Sequence, residues 1–359
     1  MAKITVLVVD DSALVRKLLS EVLNSDPDIE VIGTAIDPYQ AREKIKKLKP
    51  DVLTLDVEMP RMDGVTFLRN IMRLHPMPVV MVSTLTEQGA QVTLESLELG
   101  AVDFVSKPKV DLSNTLVDYR DEIIEKVKIA ATVNVNALGR EHHTLPEISE
   151  KLTADAVLSK RAPTSIPSHL KTTDKIIAMG SSTGGTEAIK DVLTRLPANC
   201  PGVVIAQHIP GSFSGPFAAR VNGLSVIEVC EAEDGQQILP GHAYIAPGDK
   251  HLIVERSGAR FYCKLNDGPV VNRHKPSVDV LFRSVAQNVG ANAVGVMLTG
   301  MGDDGAKGML EMKEAGAFNF VQDEKSCVVW GMPMQAIKNG AAELEVPLSK
   351  IAEKLMKLA

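Results

Sequence analysis

The sequence predicts an α/β protein of two domains, each built on a parallel sheet, and three observations carry that expectation. The chain has 359 residues, enough for two separate cores. From residue 1 to about 125, short apolar runs alternate with amphipathic stretches, the pattern of successive βαβ units. From about residue 173 the alternation resumes, interrupted by one antiparallel pair, and the segment between the two halves loses periodicity.

In the first domain, residues 1–125, five strands are expected: Ile4 to Val9, Glu30 to Ala35, Val52 to Leu55, Val79 to Val82 and Val102 to Val105. Helical repeats fill the gaps; Val15, Leu18, Leu19, Val22 and Leu23 form one apolar helical face. Polar residues gather just past the strands: Asp10 and Asp11, Asp56, Ser83 and Lys107. Parallel strands bring those ends to one edge of the sheet. Three carboxylates there repel one another unless a hard cation is present, and an oxygen-rich, incompletely caged site suits Mg²⁺. One carboxylate can then attack a phosphoryl group while the cation and Lys107 neutralise its oxygens and Ser83 donates a hydrogen bond. Taken singly, Asp10-Asp11 also reads as a helix cap and Lys107 as a solvated lysine.

Residues 126–172 read as a linker. Within it, 134–172 is hydrophilic, carries Pro146, Pro163 and Pro167, and holds one helical stretch from Leu145 to Leu158. His142-His143 has no cysteine or further histidine at ligand spacing, which argues against a metal.

The second domain, 173–359, opens with the strand Ile176 to Met179, the turn Gly180-Ser181-Ser182-Thr183-Gly184-Gly185 and a helix from Glu187 to Leu196. This places the Ser182 hydroxyl where a sheet meets solvent, beside helix N–H groups, as in a G-x-S-x-G nucleophile elbow. Such a turn also cradles phosphate, but no Walker or G-x-G-x-x-G fingerprint is present. His208 ends the strand Val203 to Gln207, and Asp304 follows the run Ala293 to Gly300, so three acid–base partners sit at three strand ends. In an open parallel sheet such ends converge, which makes a Ser-His-Asp triad possible. Asp303 competes with Asp304 for the third place, since Asp-Asp-Gly also suits a turn. The order Ser, His, Asp differs from that of the α/β-hydrolases. Ala243 to Ala246 reads as a strand, Leu252 to Arg256 with Arg260 to Leu265 as a hairpin annexed to the sheet, and Pro276 to Phe282 as a helix start near the active edge.

The formal net charge of −6 and the lack of a basic recognition helix exclude an electrostatic case for nucleic acid. The first residues do not form a signal peptide, and no stretch spans a membrane. Cys200, Cys230, Cys263 and Cys327 lack C-x-x-C spacing, so reduced thiols in a cytoplasmic protein are expected.

The first domain resembles the response-regulator receiver, a flavodoxin-like fold with a five-stranded parallel sheet. The matching residues are Asp10-Asp11, Asp56 with Met59-Pro60 and Asp63-Gly64, Ser83-Thr84, and Lys107-Pro108. The resemblance implies Asp56 as phosphoacceptor and Mg²⁺ held by Asp11, Asp56 and the Glu58 carbonyl, with Asp10 supporting through water. It implies Ser83 and Phe104 as hydroxyl and aromatic switch positions, and it allows a cis Lys107–Pro108 bond. Over its full length the chain resembles the CheB family of chemotaxis methylesterases. That likeness rests on Gly180 to Gly185, Gln207-His208-Ile209-Pro210 and Leu298-Thr299-Gly300-Met301-Gly302-Asp303-Asp304-Gly305. It implies a doubly wound catalytic domain with Ser182, His208 and Asp304, not Asp303, as the triad, and Thr183 and the Met301 N–H near the oxyanion and substrate. The implied reaction is hydrolysis of glutamate methyl esters on methyl-accepting chemoreceptors, with glutamine deamidation besides; ester hydrolysis needs no cofactor. The implied phosphodonor is a chemotaxis histidine kinase. An unphosphorylated receiver is expected to occlude Ser182. The competing reading is a non-catalytic phosphate sink or receptor-docking module.

Overall fold

The computed structural model of the chain describes residues 3–83, 87–107, 115–133, 152–160 and 174–358. Expectations for Thr84, the Lys107–Pro108 bond, His142-His143 and most of the Leu145 to Leu158 helix fall outside those residues. The chain divides into two compact units, Met1–His143 and Thr144–Ala359.

In the first unit β1 (Ile4–Val9), β2 (Ile29–Ala35), β3 (Val52–Asp56), β4 (Val79–Ser83) and β5 (Asp103–Ser106) form one parallel sheet in the order β2-β1-β3-β4-β5. All five lie within a residue or two of their expected positions. Every residue of β3 and β4 is buried, as unbroken apolar runs covered on both faces require. The helices are α1 (Ala13–Asn24), α2 (Pro38–Leu48), α3 (Gly64–Leu74), α4 (Glu87–Glu98) and α5 (Thr115–Thr132). Ser12, Asp37 and Asp63 cap the first three by accepting from Val15, Gln40 and Thr66 N–H groups. α5 runs past residue 125 because Ile123, Val127 and Ala130, at helical spacing, are fully buried. The strand order reverses direction between β1 and β3, so the ligand crevice lies at their carboxyl ends.

In the second unit seven parallel strands form a sheet in the order β14-β13-β12-β6-β7-β9-β8. These are β6 (Ile176–Ser181), β7 (Gly202–Gln207), β8 (Glu228–Glu231), β9 (His242–Ile245), β12 (Ala293–Met297), β13 (Phe318–Gln322) and β14 (Leu344–Val346). The helices are α6 (Gly185–Leu193), α7 (Gly211–Asn222), α8 (Val278–Asn288), α9 (Ala306–Glu314), α10 (Met332–Lys338) and α11 (Leu348–Leu358). Succession runs outward from β6 through β7 on one side and through β12 on the other. The switch point therefore falls between β6 and β12.

The expected hairpin forms as β10 (His251–Ser257) and β11 (Arg260–Asn266), but as a separate two-stranded sheet and not an annex of the large one. The reason is packing: Leu252, Val254, Phe261 and Cys263 are buried in one core with Leu281, Phe282 and Val285 of α8. The Val254 N–H donates to Ser284 Oγ of that helix at 2.9 Å. Tyr244 of β9 packs in the core, with its hydroxyl donating to the Gln237 carbonyl at 2.8 Å.

Residues 152–160, read from sequence as linker, lie against the fold of the second unit. They make a short 3₁₀ turn, Ala154–Ala156, with no longer helix among the described residues there. Ala154 and Val157 pack on Ile253, Val271 and Val280. The buried Arg283 guanidinium of α8 holds both Asp155 Oδ1 and the Leu158 carbonyl at 2.9 Å, and forks onto Glu311 of α9 at 2.9 and 2.7 Å.

Candidate active site

Ser182 directly follows β6, on a turn closed by the Gly185 N–H donating to the Ser182 carbonyl at 2.7 Å. Gly184, at φ 76°, caps α6; an L-residue there would be strained, and its Cβ would lie 2.6 Å from Val328. Because Ser181 pairs with Gln207 in register, Ser182 and His208 stand side by side past the ends of β6 and β7. Gln207 locks this edge: its amide donates to the Ser182 carbonyl at 2.9 Å and the His208 carbonyl at 3.0 Å, and accepts from Ser181 Oγ at 2.6 Å. The Ser182 N–H reaches the Thr299 carbonyl at 3.1 Å, tying the turn to the loop after β12.

On that loop, Asp304 is buried and its Oδ2 lies 2.9 Å from His208 Nε2. Further donors converge on the carboxylate. Oδ1 accepts from Ser277 Oγ at 2.8 Å, Asn272 Nδ2 at 2.7 Å and the Asp279 N–H at 3.2 Å; Oδ2 also accepts from the Val278 N–H at 2.7 Å. Burial alone would raise its pKa, but the hydrogen bond and charge of His208, with His274 and Asn272, hold it well below the usual carboxylate range. Asp304 is thus an anion, so Nε2 carries the proton and donates. His208 Nδ1 is buried and has no hydrogen-bond partner. The imidazole presents a lone pair on its far side, the reverse of the nitrogen assignment in the familiar serine-protease arrangement. His274 stacks on the His208 ring with centroids 3.6 Å apart.

Thr183 is buried, and its carbonyl accepts from Thr299 Oγ1 at 3.0 Å. Met301 is half-buried, three residues before Asp304. Of the two adjacent carboxylates, Asp303 and Asp304, it is Asp304 that bonds His208 Nε2.

In the first unit, Asp56 ends β3 fully buried, and Lys107 Nζ donates to its Oδ2 at 2.7 Å. Asp10 Oδ2 is buried without a hydrogen bond and has Lys107 Nζ at 3.5 Å. Oxygens of Asp10, Asp11 and Asp56 lie within 4.8 Å of one another. Burial pushes the Asp56 carboxyl up to about 7 against the opposing hydrogen bond of Lys107, and Asp10 adds to the rise. Three carboxylates face one lysine, and a buried carboxylate oxygen is left unmatched; an oxygen-seeking divalent cation fits this donor set. Glu58 is exposed, with its N–H on Asp56 Oδ1 at 3.2 Å. Ser83 is buried at the end of β4, its carbonyl accepting from the Lys107 N–H at 2.7 Å. Phe104 is buried, with Lys126 Nζ 5.0 Å above its ring and 2.6 Å from its carbonyl oxygen.

Sequence reasoning missed Asn272, His274, Asp279 and Gln207 as parts of the second site. Only Gln207, adjacent to His208, carried a positional signal; Asn272 and His274 lie on a turn with no strand-end pattern, and Asp279 lies in the first turn of α8.

The family described as the response regulator receiver domain matches residues 6–116, and that described as CheB methylesterase matches residues 177–355. Together they define the class, a response regulator whose output unit is an α/β catalytic domain. The chain belongs to the protein-glutamate methylesterase/protein-glutamine glutaminase family. It is 61% identical over 378 residues to the protein of that name from Hydrogenovibrio crunogenus, covering 100% of this chain and 99% of the relative. It is 58% identical to a protein of the same name, numbered 1, from Xanthomonas campestris, covering 99% and 97%. The crystal structure of the Thermotoga maritima CheB methylesterase catalytic domain is 38% identical with a TM-score of 0.51, covering 52% of this chain and 99% of that one.

Proposed function

We propose that the chain is a phosphorylation-regulated hydrolase that removes methyl esters from chemoreceptor glutamates and deamidates receptor glutamines, acting in the cytoplasm through Ser182, His208 and Asp304. The observation that carries this reading is the orphaned Nδ1 of His208. A buried polar atom left without a partner costs about 1–3 kcal/mol, and that cost is tolerated where the atom has chemical work. Asp304 supplies the rest: an anion held by four further donors fixes the tautomer with the lone pair on Nδ1.

In this reading Ser182 Oγ attacks the γ-carbonyl carbon of the ester while its proton passes to His208 Nδ1. The tetrahedral oxyanion forms beside the Thr183 turn, the N-terminus of α6 and the Met301 N–H. The imidazolium, stabilised by Asp304, returns the proton to the leaving oxygen, and methanol departs. Water, activated by the same Nδ1, then releases glutamate and regenerates Ser182. A glutamine reaches the same acyl-enzyme with ammonia as leaving group. Because ammonia leaves only after full protonation, deamidation is the slower reaction.

The receiver unit takes its phosphoryl group on Asp56 from a histidine kinase. Asp11, Asp56 and the Glu58 carbonyl, with Asp10 behind them, would hold Mg²⁺, which would neutralise charge on the transferring group. Lys107 orients Asp56, and Ser83 and Phe104 are the positions that respond to phosphorylation.

Methanol release from methylated receptor, with Mg²⁺ and a small phosphodonor, tests the assignment. The wild type releases methanol and Ser182→Ala does not. Release by neither, with Asp56 phosphorylated, would favour the phosphate-sink or deamidase reading instead.

A further inference from the structure

Two buried carboxylates meet beneath the candidate active site, and only one of them touches His208. Asp279, in the first turn of α8, is 3% exposed and Asp304 1% exposed. The Val278 and Asp279 N–H groups, from the N-terminus of α8, donate to Asp304, which lies just before α9. The Gly308 N–H, from the N-terminus of α9, donates to Asp279 Oδ1 at 2.7 Å. Each helix is therefore capped by the carboxylate of the other. The exchange requires contact between the two backbones: a Cβ on Gly308 would lie 2.8 Å from the Asp279 carbonyl oxygen and 2.9 Å from Phe282 Cβ.

A single amide joins the pair. Asn272 Nδ2 donates to Asp279 Oδ2 and to Asp304 Oδ1, each at 2.7 Å, using both of its protons. It is held there by a tight turn. Val271 and His274 exchange both backbone hydrogen bonds, and Asn272 and Arg273 between them take φ of 50° and 71°. Two successive left-handed residues make a type I′ turn, which asparagine tolerates and arginine resists. The same turn stacks His274 on His208, and the Asn272 N–H is anchored on the Leu152 carbonyl at 2.9 Å.

We propose that Asn272 and Asp279 are positioning residues for the esterase reaction: the amide clamps the two carboxylates so that Asp304 keeps Oδ2 aimed at His208 Nε2. The inference rests on the triad reading above. Asp279 has fewer donors than Asp304, and burial, then the neighbouring charge of Asp304, push its carboxyl up to about 7. The charged groups around it are Asp304 and, on α9, Lys307; one turn further along, Arg283 is paired with Glu311 and Asp155. His208, His274 and His251 face Asp304 from the other side. Asp279 thus gains negative charge through neutrality, and that charge, acting through Asp304, favours the His208 imidazolium.

The test uses the full chain without phosphodonor, so that Asp56 does not enter. Asp279→Asn keeps the shape and an acceptor for Gly308 but cannot ionise; Asn272→Gly keeps the left-handed turn but removes the amide. Histidine-labelled NMR titration of His208 is the readout independent of turnover. In Asp279→Asn its midpoint falls by about half a pH unit or more. In both variants kcat for methanol release falls about 10- to 100-fold with KM unchanged, as for a misaimed base. In the double variant the losses are less than multiplicative, because the two residues act as one unit. An unmoved His208 midpoint together with multiplicative losses would overturn the brace. Shifts in His208 with no methanol release from wild type would leave the brace standing and sink the esterase reading.

Discussion

His208 gains its chemical character from what it lacks on one side and holds on the other. Nδ1 is bare and Nε2 is pinned to a carboxylate that cannot rotate without breaking several hydrogen bonds. Asp304→Asn removes the anion and allows an amide N–H to face Nε2, which turns the ring to its other tautomer. Methanol release from that variant is expected to fall about 10³- to 10⁴-fold while the fold persists, measured by initial rates on methylated receptor. Asp56 yields a second prediction from the opposite balance. Its folded pKa, about 7, stands above the ordinary 3.8, so between those values the folded state binds the extra proton. Stability contributed by Asp56 is full below about pH 4 and is lost as pH rises through 7. In thermal unfolding without Mg²⁺, Asp56→Asn should therefore stabilise the receiver unit by about 1–3 kcal/mol at pH 8 and by clearly less at pH 5. Equal effects at both pH values would contradict the assignment. At this scale the sequence was most legible where chemistry sits at strand ends. Ser182, His208, Asp10, Asp56 and Lys107 each follow an apolar run that marks its own carboxyl end. Asn272 and Asp279 were not legible, because they act through a turn whose conformation defies the usual residue preferences and through a helix approach that depends on Gly308.

Among the elements, parallel strands were read closely and peripheral ones were not. β3, β4, β6, β7 and β12 are unbroken buried runs that a window of a few residues reveals. The three-residue β14 and the half-exposed β8 gave no such run. The hairpin was recognised, but its partner was not, since strand periodicity says which face is apolar and not whether a sheet or a helix covers it. The segment at 152–160 shows the same limit. Its polar residues read as linker, yet Asp155 is a ligand of Arg283, and Ala154 and Val157 fill a small apolar cluster with Val271 and Val280. The segment therefore supports the turn that carries Asn272. Ala154→Asp would place an unpaired charge in that cluster and should destabilise the second unit by about 2–4 kcal/mol in denaturant unfolding, with esterase activity lost alongside. A variant of unchanged stability would return the segment to the status of a spacer.

The molecule as a whole joins two sheets of the same construction that put different chemistry at the same place. In each, the switch point collects carboxylates and a basic partner: Lys107 against Asp10 and Asp56 in one, His208 against Asp304 in the other. The receiver site keeps an unmatched Asp10 oxygen and the exposed Asp11 beside the buried Asp56, room for a cation, whereas Asp304 is closed off by the N–H groups at the start of α8, so the first is suited to switching and the second to constancy. Regulation then calls for the switching unit to lower the output of the constant one until Asp56 is phosphorylated. A chain beginning at residue 144 keeps the 152–160 segment and the whole second unit. If the unphosphorylated receiver restrains the esterase, this fragment releases methanol faster than the full chain without phosphodonor, and adding a phosphodonor accelerates only the full chain. Asp56→Ala in the full chain should abolish that acceleration and leave the slow rate in place. A fragment as slow as the unphosphorylated full chain would mean that phosphorylation supplies activation instead of relieving restraint. The receiver would then be needed for catalysis at full rate, and the two sites would have to be understood as one device.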